Sequence, residues 1–128
     1  MVLSRRVAEL NKKALNRVMV HVAPRLPGFA VLHHRGRTSG ARYDLPINVF
    51  VRGDRYVFAL TYGSDTDWLK NVLAQGGAAI TTRGRVVALT RPRVYTDVER
   101  RDVPAVPRWI LGRVGVTEFL EMWRVPTA

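Results

Sequence analysis

From Phe29 onward the chain runs in short strand-like segments, in part alternating apolar and polar residues with a period of two, and glycine separates them at short intervals. This pattern restricts the fold most, because period two sends every second side chain to one face of a strand. "FAVLHHR" reads as a first strand. "RYDLPINVFV" reads as a second, with Leu45, Ile47 and Val49 alternating, and "RYVFALTY" as a third across a tight turn at Arg52, Gly53 and Asp54. "SDTDWLKNVLAQGG" breaks the pattern and reads as a helix. Ser64 or Asp65 would cap it, Asp67 sits in its first turn, and Gly76 and Gly77 end it. "AAITTR" and "RVVALTRPRVYT" form a second hairpin across Gly84. Beyond Asp97, helix signals mix with prolines at 104, 107 and 126, and "VTEFLEMWRV" fits either a short helix capped by Thr117 or a last strand.

Residues 2–22 carry helical periodicity instead, with Leu3, Val7, Leu10, Ala14, Val18 and Val22 on one stripe and Arg5, Arg6, Lys12, Lys13 and Arg17 on the polar side. Such a helix either packs on its own domain or lies on an anionic membrane surface. The expected order is helix, three meandering strands, helix, two strands and a helical tail. That is a mainly β chain with flanking helices, and short antiparallel strands joined by tight turns favour a small barrel. With 128 residues, one domain spanning 1–128 is expected.

Charge narrows the partners. Twenty-one basic residues face ten acidic ones, a net +11, and eighteen of the basic ones are arginine, whose planar fork suits phosphate and carboxylate. Nucleic acid, an anionic membrane surface and a strongly anionic small ligand would each account for this, and arginine-rich codon usage would account for part of it. The arginines are spread along the chain and match no nucleic-acid-binding motif, so nucleic acid is not the expected partner. The chain has no cysteine, which fits a reducing cytosol, and no apolar run of the roughly 20 residues that span a bilayer. A cytoplasmic protein is expected, with the N-terminal helix offering peripheral contact to the inner face of the membrane.

Much chemistry has no candidate. The three histidines are His21, His33 and His34, and neighbours on a strand point to opposite faces, so no metal site is expected. Neither a nucleophile elbow nor a Walker loop is present. What remains is "GRTSG" at residues 36–40. Backbone N–H groups in such a turn can form an anion nest, Thr38 and Ser39 add hydroxyls, Arg37 can grip a phosphate with two bonds, and Arg42 can reach the same place. A charged, solvated hairpin turn is the plain alternative. Further on, "LTYGSDTDWLKN" sets Thr61, Tyr62 and Gly63 just before a helix on which Trp68 and Asn71 share a face. Together these could line a site for a planar ligand, although Trp68 alone would read as core.

The run G-R-x-S-G, a proline six residues later, a strand ending in a hydroxyl residue and then W-x-x-N resembles the deazaflavin-dependent nitroreductase family, which includes F420H2-dependent quinone reductases. The resemblance covers about residues 31–96. It implies a split β-barrel resembling FMN-binding reductases, with coenzyme F420 as the cofactor and FMN as the alternative. By the same resemblance, Arg37, Thr38, Ser39 and Gly40 hold the cofactor's phosphate and tail, with Arg42 in reach. Pro46 and Ile47 lie beside the ring, Thr61 near it, and Tyr62, Gly63, Trp68 and Asn71 complete the site. The implied reaction passes a hydride from reduced F420 to an apolar conjugated acceptor such as a quinone, a nitroaromatic or an unsaturated lipid. Tyr62, Thr61 or water would supply the proton.

The chain departs from the family pattern in three places. Thr38 stands where lysine is common, the loop from Gly63 to Trp68 is short, and no tyrosine follows Tyr95. The cofactor side therefore transfers better than the acceptor side. A non-catalytic F420 or lipid carrier on the same barrel stays open, as does a homodimer.

Overall fold

The computed structural model describes residues 28–126, so the helix expected over residues 2–22 lies outside them. Its elements are β1 (Phe29–Arg35), β2 (Arg42–Asn48), β3 (Phe50–Arg52), β4 (Arg55–Ala59), α1 (Asp67–Gln75), β5 (Gly77–Thr82), β6 (Arg85–Thr96), α2 (Ala105–Arg113) and β7 (Glu118–Arg124). The seven strands form one antiparallel sheet in the order β2-β1-β5-β6-β7-β4-β3.

That order dictates the shape. β2 and β3 are the two edges of the sheet, yet a single residue, Val49, joins them. In a flat sheet, six inter-strand spacings would put those edges about 29 Å apart. One residue bridges less than about 4 Å. The sheet therefore curls until its edges meet, and the result is a split β-barrel closed at one corner by the chain itself. The expected second strand, "RYDLPINVFV", breaks at this corner. Val49 is buried and its N–H donates to the Gly28 carbonyl at 3.0 Å.

Curvature has a visible source on the far side. β6 pairs with β5 through Arg85–Thr90 and with β7 through Leu89–Thr96, and its register against β7 shifts between Thr90 and Arg93. Arg91 takes a positive φ of 54° there, next to Pro92. A bulge of this kind bends a strand and sharpens its twist.

The barrel interior is filled by Leu32 of β1, Tyr56 and Phe58 of β4, Ile80 of β5, Leu89 of β6, and Leu120 and Met122 of β7, with Leu69 and Val72 of α1 packed onto them. A second apolar cluster lies on the outer face, where Val57, Ala59 and Phe119 meet Val103, Leu111 and Val116 beneath α2. β4 is thus covered on both faces, which is why "YVFAL" is continuously apolar rather than alternating. Burying a side chain such as Phe58 contributes about 1.5–3 kcal/mol.

The C-terminal segment resolves the choice between helix and strand. "EFLEMWR" is β7, and it lies in the middle of the sheet between β6 and β4 rather than in a helical tail. Its alternation is masked because both faces are buried, Leu120 and Met122 inward, Phe119 and Glu121 outward. α1 follows the sequence closely, with two adjustments. Its N-cap is Thr66, not Ser64 or Asp65, and no side chain makes the capping bond. At its end Gly76 is left-handed at φ 75°, and at Gly77 (φ 152°) a Cβ would run into the Leu89 carbonyl. Both positions therefore demand glycine.

Candidate functional site

The turn between β1 and β2 is held from within. Gly36 N–H donates to the Ala41 carbonyl at 2.8 Å and Gly40 N–H to the Gly36 carbonyl at 2.9 Å. Ala41 N–H donates to the Ser39 hydroxyl at 3.2 Å, a local turn bond typical of serine. Arg37 N–H leaves the turn and donates to Asn71 Oδ1 at 3.1 Å. Among the described residues, the N–H groups of Thr38 and Ser39 are what the turn leaves for a ligand. The anion nest is narrower than five residues suggest.

Arg37 is placed with care. Its Nη1 donates to Asn71 Oδ1 at 2.7 Å, and its Nη2 reaches Asp67 Oδ1 at 3.3 Å. Asn71 is buried, and its Nδ2 meets His34 Nδ1 at 3.1 Å. His34 in turn stacks on Tyr43, with ring centroids 5.4 Å apart. One buried amide thus ties the turn to α1 and to β1. Burial holds the His34 pKa below its ordinary value, against the pull of the Asp44 carboxylate. Arg37, Thr38, Ser39 and Asn71, with His34, Gly36, Tyr43 and Asp67, line a shallow depression of about 530 Å³.

A larger cleft of about 960 Å³ opens beside it. Leu45, Pro46, Ile47 and Asn48 of β2 form one wall, and Leu60, Thr61, Tyr62 and Gly63 line the cleft just past the end of β4. Trp68 closes it at the head of α1. Pro46 is tolerated in a strand because β2 is an edge. Among the described residues the cleft has no basic residue in its lining, and its charged groups are Asp65 and Asp67. Asp67 lines both the cleft and the depression, so the two meet at the head of α1. The Thr66 hydroxyl, on the same wall, is shut from solvent and has no hydrogen-bond partner among the described residues. An unmatched buried hydroxyl costs about 1–3 kcal/mol.

The structure therefore sorts the expected residues into two groups. Pro46, Ile47, Thr61, Tyr62, Gly63 and Trp68 line the cleft, while Arg37, Thr38, Ser39 and Asn71 line the depression. Gly40 and Arg42 line neither. Arg42 is turned along its own strand, with Nε 3.2 Å from Asp44 Oδ1 and Nη2 3.0 Å from His33 Nδ1. Burial works against the Asp44 carboxylate, but hydrogen bonds from His33 and Arg42 outweigh it and hold its pKa low. Tyr62 is 81% exposed at the cleft rim.

Sequence reasoning missed His34, Asp67 as the link between the two hollows, and the third wall of the cleft. That wall is α2, through Val106, Pro107, Ile110 and Leu111. The signal for α2 was poor, since Pro104 and Pro107 frame its first turn. His34 gave a better one: period two puts it on the face opposite His33, in line with the apolar Ala30 and Leu32.

No protein-family model matches the sequence, and no curated protein sequence matches it. Solved structures do resemble it. One, described as a domain-swapped dimer, has a TM-score of 0.58 at 18% identity and covers 91% of this chain and 96% of its own. Another is an F420-H2 dependent reductase, FDR-A, with a TM-score of 0.57 at 18% identity, covering 75% of this chain and 94% of its own. The chain shares the split-barrel fold of that reductase. At this identity the likeness establishes the fold and nothing finer. It agrees with the mainly β split barrel expected from the sequence.

Proposed function

We propose that the protein is an F420-dependent oxidoreductase that passes a hydride from reduced F420 to an apolar conjugated acceptor, such as a quinone, a nitroaromatic or an unsaturated lipid. One observation carries the reading: an apolar cleft of about 960 Å³ and an arginine-bearing depression of about 530 Å³ meet at Asp67. F420 has matching halves, a planar ring and an anionic phosphodiester tail with glutamates. The described residues fit both. Arg37 and the N–H groups of Thr38 and Ser39 take the phosphate, and Arg42, exposed beside Asp44, keeps further donors for the tail. Pro46, Ile47, Thr61, Gly63 and Trp68 flank the ring. The named reductase of the same fold supports the same cofactor over FMN.

When bound, the cofactor supplies the hydride. The protein binds and orients, and excludes water from an apolar site. Ile47 and Trp68 narrow the cleft, and Val106, Pro107 and Ile110 offer an acceptor an uncharged wall. Tyr62 at the rim, Thr61 or water delivers the proton. Among the described residues the lining holds no buried acid or base, its titratable groups being Tyr62, Asp65 and Asp67. That favours, as the second reading, a carrier that binds F420 or a lipid without turning it over. We further propose a cytoplasmic protein that pairs as a homodimer, as the domain-swapped neighbour does, with residues 2–22 available to an anionic membrane surface.

Anaerobic mixing with reduced F420 and a quinone tests the reading. The expected result is oxidation of the cofactor dependent on protein and acceptor. Binding without turnover across quinones, nitroaromatics and unsaturated acyl chains selects the carrier, and no response to F420 removes the oxidoreductase and the F420 carrier and leaves the lipid carrier.

A further inference from the structure

The turn at residues 36–40 is aimed by a chain of contacts that reaches beyond the residues able to touch a ligand. Arg37 presents only donors, from its backbone and from its guanidinium, and both point at one oxygen of Asn71, at 3.1 and 2.7 Å. The amide of Asn71 can therefore face Arg37 only with Oδ1. Its Nδ2 must then face His34 Nδ1 at 3.1 Å, which has to accept. The orientation of a buried amide and the tautomer of a buried histidine follow from the donor-only character of Arg37 alone.

We propose that His34 is a positioning residue for the anion site: its bare Nδ1 locks Asn71, Asn71 holds Arg37 toward the ligand, and protonation of His34 releases Arg37 and weakens anion binding. A proton on Nδ1 sets donor against donor. If Asn71 turns to meet it, Nδ2 faces Arg37 and the clash moves there. Either way one bond in the chain is lost, and the imidazolium repels the guanidinium besides.

The surroundings of His34 agree. Tyr43 of β2 stacks on its ring, and the Asp44 carboxylate of β2 acts on it through space. α1 brings Asn71 and Asp67, and the turn brings Arg37. β5, on the other side of β1, carries no titratable residue in "GAAITT". Burial outweighs Asp44 and keeps the ring neutral below its usual range. His33 points the other way, bonded to Asp44 Oδ1 at 2.7 Å and Thr81 Oγ1 at 2.6 Å. The proposal rests on the turn being an anion site but not on F420 being the anion. Its sign opposes simple charge counting, by which an added imidazolium should strengthen anion binding.

The test uses the full chain and sulfate, whose charge is constant from pH 5 to 8. Wild type should bind sulfate roughly 2- to 10-fold more weakly at the acid end, the worth of about one net hydrogen bond. His34→Asn puts an acceptor oxygen where Nδ1 stands for Asn71 but cannot titrate, so it should hold the neutral-pH affinity and lose this pH dependence. His34→Phe keeps the stack and loses the acceptor, so it should bind weakly throughout. Nitrogen-15 spectra of His34 should show a proton on Nε2 and a bare Nδ1 at neutral pH. Sulfate binding that strengthens in acid, a His34→Asn variant with the wild-type pH profile, a proton on Nδ1, or no sulfate binding at any pH would each overturn the proposal. A chain that shows the pH-linked sulfate binding yet ignores F420 keeps this relay and loses the cofactor reading.

Discussion

Two arginines on this barrel are held in opposite ways. Arg55, on β4, is enclosed by charge. Its Nε donates to Glu121 at 2.5 Å, its Nη atoms reach both oxygens of Asp102 at 2.8 and 3.1 Å, and its guanidinium lies 5.3 Å from the Tyr95 ring centre. Glu121 is buried and takes a second bond from Arg93 at 2.8 Å, while Tyr95 donates to Asp102 at 2.8 Å. Hydrogen bonding to Asp102 raises the Arg55 pKa, and the bond from Arg93, joined by Arg55, lowers that of Glu121 despite burial. Arg37 instead meets a neutral amide and one carboxylate that is 86% exposed. The first arginine is paired with two carboxylates and serves the fold. The second keeps donors to spare, on a concave surface, and suits a ligand. Net charge alone does not separate these roles; the partners do.

The comparison breaks first at Arg55. Arg55→Ala strips a nearly buried pair of one partner, and loss of about 3–5 kcal/mol is expected in denaturant unfolding. Sulfate affinity should survive wherever the variant is folded. A cost below about 1 kcal/mol would show that the network does not hold the outer face together.

Arg37→Ala should do the reverse. F420 or sulfate binding should weaken by about 1.5–3 kcal/mol, the worth of a charge-assisted bond. Unfolding free energy should move by no more than about 0.5 kcal/mol, because its carboxylate partner is exposed. Equal losses of stability and affinity would put both arginines in one class.

Asn71→Ala should fall between them. It removes the bond to His34 and both bonds from Arg37, so about 1–2 kcal/mol of stability and a comparable share of affinity should go together. An amide that served only the ligand would leave the melting temperature unchanged.

Acid sharpens the contrast by the smallest margin. The Asp102 carboxyl is depressed by its bond from Arg55, against burial, and Glu121 is depressed as well. Depressed carboxylates contribute stability above their unfolded pKa values, near 4, and lose it as pH falls through the folded ones. Wild type should therefore lose stability below about pH 4 more steeply than Arg55→Ala. Parallel acid limbs would contradict this.

How far the sequence speaks for itself depends on the face. β1, β5 and the hairpin across Gly84 were legible because short apolar and β-branched runs are bounded by turn glycines. α1 was legible from Asp67 to Gly76. The corner at Val49 was not, since one residue leaves no turn signal between two apolar strands. β7 was ambiguous because Arg55 and Arg93 let Glu121 be buried, which hides the alternation. Arg37 and Trp68 could be read from local motifs. His34 and the α2 wall come to the site through tertiary packing, across 37 residues in the case of His34 and Asn71.

The central claim is that a cationic turn and an apolar cleft hold the two ends of one cofactor. Equilibrium titration of the full chain with F420 and with FMN, at low and high salt, tests it most directly. The account predicts that F420 binds, that its affinity falls with salt and falls again in Arg37→Ala, and that shortening the glutamate tail weakens binding while hydride transfer at the ring persists. Protein that retains yellow FMN through purification and does not respond to F420 would contradict it.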